Sequence, residues 1–222
     1  MIKRTLIRKF VADHIAPHFP DFGFDLRGDL SRVCRPFLHG ICFEQSEDDT
    51  FYVTCFVHFL SKRSDFIAIG FGERMRRNDR YGESWRTEPS EGEAALLLGA
   101  MRGSRYSPFN LHPTSKAILA LADPDVRGPH SLFGLAHCAI FENDARLATE
   151  FMRLAKSRFK GVTLTESDRL LLAEITEIED GLDDLVGTQR KLKDWVEESI
   201  HLLKLEKISP PLENGEAASF EI

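Results

Sequence analysis

The 222-residue chain is short of cysteine, tyrosine and tryptophan, and it has no long apolar run. Its four cysteines, Cys34, Cys42, Cys55 and Cys138, show no close-paired spacing. That argues against a fold stapled by disulfides or pinned by zinc. The first ten residues interrupt every apolar pair with charge and hold no apolar core of a secretory signal. No stretch approaches the ~18 uninterrupted apolar residues of a membrane span. The expectation is a cytoplasmic protein with reduced thiols and no membrane partner.

Familiar catalytic signatures are missing as well. No serine sits in Gly-x-Ser-x-Gly, and neither a Walker A loop nor Gly-x-Gly-x-x-Gly occurs. None of the lysines has Asp or Glu two positions before it, the spacing by which one strand presents a metal ligand and a lysine together in common nucleases. Asp123-Pro124-Asp125 therefore reads as a helix-ending turn. His14 and His18 have helical i, i+4 spacing, but Pro17 stops the helix between them. Cys55 and His58 fall on opposite faces of one strand and cannot converge on one ion. No metal and no cofactor are implied.

Phenylalanine is plentiful, with 17 copies, and apolar residues make up 42% of the chain, enough for a substantial core. Residues 2–16 read as an amphipathic helix with Leu6, Ile7, Phe10, Val11, His14 and Ile15 on one stripe. Strands follow near 23–27, 31–37, 40–45, 51–60 and 65–71. Phe51, Val53, Cys55, Val57 and Phe59 alternate along the apolar face of the fourth. A polar connector, Ser46 to Thr50, joins the third and fourth, so the pattern is an antiparallel meander. Residues 72–92 are weakly patterned, and helices follow near 92–102, 114–122 and 131–158.

The last strong pattern begins at Thr165, which with Asp168 resembles a capping box. A 4-3 spacing then runs through Leu171, Ile175, Ile178, Leu182, Leu185, Gln189, Leu192, Val196, Ser199 and Leu203. Its length suits a coiled coil, whereas Gly181 and Gly187 suit two helices broken near 180–187. Charge sets this region apart: residues 166–222 carry 6 basic and 15 acidic residues, and residues 1–165 carry 23 and 20. The fold class expected is α+β, an antiparallel sheet covered by helices over 1–160. An acidic helical arm over 161–209 and a disordered tail over 210–222 follow it.

Arg74, Arg76, Arg77 and Arg80 are interleaved with Tyr81 and Trp85, the residue types that hold a phosphate or single-stranded nucleic acid. Glu73, Asp79 and Glu83 dilute that field, and the chain is acidic overall, so nucleic acid is not the expected partner.

A leading helix, Phe22-Gly23-Phe24, a strand ending Phe43-Glu44-Gln45-Ser46, an acidic turn and Phe51-Tyr52-Val53 together resemble the domain of unknown function 4304 family over roughly residues 1–75. Adjacent Gln45 and Ser46 depart from that family's pattern, as does the long helical C-terminal part. The resemblance implies a fold and, through some relatives, an immunity-type role in bacterial conflict systems. The function expected is a protein-binding module without chemistry, regulatory or immunity-type. The alternative is a nucleic-acid-processing or phosphate-handling enzyme using the loop at 74–86. Leu171, Ile175, Ile178, Leu182, Leu185, Leu192 and Val196 are expected to pair helices, and polar Gln189 among them to set register in a homodimer.

Overall fold

The computed structural model describes residues 4–46, 50–62, 66–67, 69–77, 84–86 and 91–210. The connector at 47–49, Arg80, Tyr81 and the tail from 211 lie outside them. The protein is α+β: a six-stranded antiparallel sheet, then a helical C-terminal region. By its internal contacts the chain forms two compact units. Of the described residues, the first holds those within 4–58, 66–112 and 203–210, and the second those within 59–62 and 113–202. This division falls elsewhere than at residue 160, because the helices from 115 onward pack with the acidic region.

In the first unit, α1 (Arg4–Phe10) continues as a π-helical turn, Val11–Ile15, and a 3-10 turn, Ala16–His18. Ile7, Phe10, Val11 and Ile15 are buried, and Phe10 packs on Phe51 with ring centroids 5.6 Å apart. Leu6, expected on that stripe, is instead exposed, since the buried positions run 7, 10, 11 and 15.

The strands are β1 (Gly23–Phe24), β2 (Leu30–Cys34), β3 (Phe37–Gln45), β4 (Thr50–Phe59), β5 (Phe71–Arg74) and β6 (Ser84–Arg86). β1 to β5 lie in sequence order, as a meander requires. β5 pairs Val57 to Thr54 and β6 pairs Tyr52 to Thr50, so both lie along one edge of β4. Between them Met75 N donates to Val53 O at 2.8 Å. The sequence pattern missed β6 and placed β5 too early, over 65–71 and not at Phe71–Arg74. Gly72 is needed within the strand: a Cβ there would lie 2.9 Å from Cys55 O. β4 is buried on both faces from Val53 on, not only along its alternating apolar one; Thr54, Phe56 and His58 are buried too.

The second unit is helical: α3 (Ser115–Leu121), α4 (Pro129–Phe141), α5 (Ala145–Ser157), α6 (Glu166–Asp180) and α7 (Leu185–Leu202). In the first unit, α2 (Glu91–Gly103) precedes them. The single helix expected over 131–158 is two. Asn143 takes a left-handed conformation, φ 59°, and Asp144 caps α5 by accepting from Leu147 N at 2.9 Å. Short polar side chains at that point stop one helix and start the next.

The acidic region is also two helices. The Thr165–Asp168 capping box forms in full: Thr165 Oγ1 accepts from Asp168 N, and Asp168 Oδ2 accepts from Thr165 N at 2.8 Å. The Thr165 hydroxyl, donating to Asp168 Oδ2 at 2.7 Å, and after it the Thr165 backbone N–H hold the Asp168 carboxyl below its usual range. α6 stops at Gly181, whose carbonyl accepts from Thr188 Oγ1 at 2.6 Å. Asp184 caps α7 through Gly187 N at 2.9 Å, and a Cβ on residue 187 would collide with that carboxylate. Both glycines are therefore built into the corner.

Leu171, Ile175, Ile178, Leu192 and Val196 are all buried, packed with α4 and α5, whereas Leu182 and Leu185 at the corner are half-buried. The seam offered for pairing with a second copy is thus covered by the chain's own helices. Gln189, taken for a register-setting residue between copies, donates to Ile140 O at 2.7 Å and Asn143 Oδ1 at 3.0 Å. It caps the end of α4 instead. Among the described residues no helix is long and apolar enough to cross a membrane.

Ile175→Asp is expected to destabilise the protein by at least about 3 kcal/mol, because it buries an unpaired charge and leaves a void. Urea unfolding reads this. A variant that keeps its stability while its mass by light scattering halves would place the seam between copies.

Candidate functional site

The arginine-rich segment, the edge of β4 and α2 meet in the first unit. After Met75 the chain leaves the sheet, and it returns at β6 with Trp85 fully buried. The Trp85 indole N–H donates to Met75 O at 3.3 Å, tying the two ends of the excursion together. Arg77 lies over the Trp85 ring at 5.4 Å and pairs with Glu93 of α2. Glu93 Oε1 also accepts from Arg86 N at 2.8 Å. The side chains of Arg77 and Glu93 are only 8% and 10% exposed, so this is a buried charge pair with added hydrogen bonds.

α2 buries one stripe, Ala94, Leu97, Leu98 and Met101, in the core. Its outer face carries Gly92, Ala95, Leu96, Gly99 and Ala100 at i, i+3, i+4, i+7 and i+8. Leu96 is 57% exposed, a large apolar side chain standing on a face otherwise made of small residues. Against this face opens a groove of about 410 Å³, lined by Arg76, Arg77, Trp85, Ala95, Leu96, Gly99 and Ala100. Such a volume suits a few side chains or a small ligand.

Of the five residues read from the sequence as an anion or partner site, three come together here: Arg76, Arg77 and Trp85. Arg74 does not. It points to Glu44 at 3.2 Å and over the Tyr52 ring at 4.5 Å. Arg80 lies outside the described residues. Arg76 is exposed, whereas Arg77 is held by Glu93. The groove's apolar half escaped the sequence reading. Its signal was present, since the small residues of α2 share a spacing complementary to its buried stripe.

The other polar groups are structural or sealed. Asp25 Oδ1 accepts from Arg27 N at 2.9 Å and Asp29 N at 3.0 Å, closing the β1–β2 turn. Asp29 Oδ1 accepts from Phe43 N, and burial raises the Asp29 carboxyl above its usual range. Cys42 and Cys55 are each pushed up to about 12, chiefly by burial, and burial likewise raises Cys34 and Cys138. These thiols stay protonated and unreactive at neutral pH. Among the described residues no group of His, Cys, Asp and Glu could hold a metal ion. In the second unit Ser61 Oγ lies 2.9 Å from His137 Nδ1, but both residues are wholly buried and packed around by Phe133 and Trp195. No substrate reaches that serine.

No family model, no curated protein and no solved structure matches the chain.

Glu93→Ala takes from the buried Arg77 guanidinium the carboxylate it pairs with, and is expected to cost about 3–5 kcal/mol in urea unfolding. Replacing Arg77 by Met together with Glu93 by Leu recovers most of that loss if the pair, and not the fold of α2, is its source.

Acid sensitivity follows from two buried imidazoles. Burial lowers His39 to about 4 and His137 to about 3, against about 6.5 when unfolded. The unfolded chain therefore binds more protons below pH 6.5, and stability falls as pH drops from there towards 4. The slope is about 1.4 kcal/mol per pH unit for each histidine. His137→Gln keeps an acceptor for Ser61 and is expected to remove about half of that slope in denaturation measured from pH 7 to 4.5.

Proposed function

We propose that the protein is a binding module whose groove beside α2 receives an acidic segment of a protein partner and performs no chemistry on it. The carrying observation is the groove's composition: an apolar floor of Trp85, Leu96 and Ala100 with the exposed Arg76 guanidinium at its rim. Small residues at Ala95 and Gly99 let a partner backbone come close, and Leu96 offers area to bury. A carboxylate beside an apolar anchor complements this arrangement, because arginine binds carboxylates bidentately while the anchor fills the floor. The resemblance of residues 1–75 to the domain of unknown function 4304 family supports the same class of role, an immunity-type or regulatory partner. A cytoplasmic setting belongs to this reading.

Phosphate chemistry is less favoured. Of the two arginines that line the groove, Arg77 is already held by Glu93, and Arg74 is turned away to Glu44. A polyanion would meet one exposed arginine there.

The test is a display selection of random peptides on the full chain. Selected peptides are expected to carry Leu, Phe or Trp flanked by Asp or Glu, and to lose at least tenfold in affinity on Leu96→Glu or Arg76→Glu. Selection without convergence, or peptides indifferent to both substitutions, overturns the reading. Salt-sensitive binding of single-stranded RNA or DNA that is abolished by Arg76→Ala replaces it with the phosphate alternative.

A further inference from the structure

The second unit holds an amine that the binding reading does not use. Lys62 follows Ser61, whose hydroxyl is fixed to His137 of α4. The Lys62 carbonyl accepts from Ser199 Oγ of α7 at 3.0 Å. Its root is thus held by two helices. The side chain is half-buried, and its Nζ lies 3.0 Å from Nδ1 of His130, an exposed residue in the first turn of α4. Two N–H groups cannot point at each other, so His130 Nδ1 carries a lone pair and accepts.

Among the described residues no carboxylate forms an ion pair with Lys62. Glu174 favours its ammonium form only through a longer-range interaction, and Asp168 acts likewise on His130. Among the described residues His137 also faces this charge, and it is sealed and neutral. α4 also begins without a side-chain cap at Gly128, which leaves the positive end of its dipole beside the amine. A half-buried amine with a neutral acceptor and no ion pair among the described residues is the arrangement that frees a lysine lone pair.

We propose that Lys62 is a covalent acceptor site that condenses with a small aldehyde or ketone to form an imine, with His130 carrying the proton. The Nζ lone pair adds to the carbonyl carbon, and the carbonyl electron pair moves to oxygen. A first proton passes from Nζ to His130 Nδ1 and on to that oxygen, giving the carbinolamine. The second Nζ proton takes the same route to the hydroxyl, which leaves as water while the C=N bond forms. Nothing is oxidised or reduced, and no further reactant is consumed.

Burial brings the Lys62 ammonium down to about 8, so a sizeable fraction is neutral near physiological pH, unlike an ordinary exposed lysine at about 10.4. Some intrinsic nucleophilicity is lost with basicity, which leaves an expected advantage of about tenfold. The experiment treats the full-length protein with pyridoxal at pH 7.5, traps imines with borohydride after short times, and maps the lysines by mass spectrometry. Lys62 is expected to label about tenfold faster than the exposed Lys116 and Lys160, with a rate that rises through a midpoint near pH 8. Labelling of Lys62 no faster than those two, or a midpoint at pH 10 or above, overturns the proposal. Neither readout requires a variant to fold.

Discussion

The first unit depends on β4 being paired along both edges while buried on both faces. β3 occupies one edge, and β5 and β6 share the other in succession. A strand so placed has no freedom of register, because a one-residue slip would exchange the Phe51, Val53, Cys55 and Val57 set with the Thr54, Phe56 and His58 set. Both sets are buried, but they differ in size and polarity, so only one register fits. Neighbouring strands answer that demand. Gly40 of β3 is open because the Phe56 ring fills the space, and a Cβ there would lie 2.6 Å from the ring.

The same constraint explains the arginine cluster. Because β5 and β6 both belong to β4's edge, the chain between them must leave and return within reach of one strand. Trp85, Arg77 and Glu93 close that return. Charges that look like a ligand site in sequence are thus partly consumed in holding the segment down, and Arg77 is the clearest case. Beside them the outer face of α2 leaves Leu96 57% exposed.

Much of the fold was legible. The alternating face of β4, the meander order, the capping box at Thr165 and the corner near Gly181 all express local rules that tertiary packing did not override. The missed features have a common cause. β6 has three residues, too few to show a period, and its place is set by pairing with Thr50 to Tyr52, far away in sequence. The break at Asn143 was hidden by strong apolar content on both sides. The seam from Leu171 to Val196 was legible as an apolar stripe and read as a pairing surface, but periodicity says only that something covers it. That α4 and α5 do so is a long-range fact, and Gln189 looked like a pairing residue because its carbonyl partner, Ile140, lies on another helix. In the groove, the arginines were visible as a cluster while the small residues of α2 drew no notice, since glycine and alanine carry no chemistry of their own.

The shared edge of β4 has a consequence for how this protein changes. Met75 and Trp85 are joined to each other and to the sheet, so the chain between Arg77 and Ser84 starts and finishes at fixed points. The groove lies against those fixed points. Its wall is therefore tied to the sheet: whatever loosens β6 from Thr50 to Tyr52 also shifts Trp85 in the groove lining.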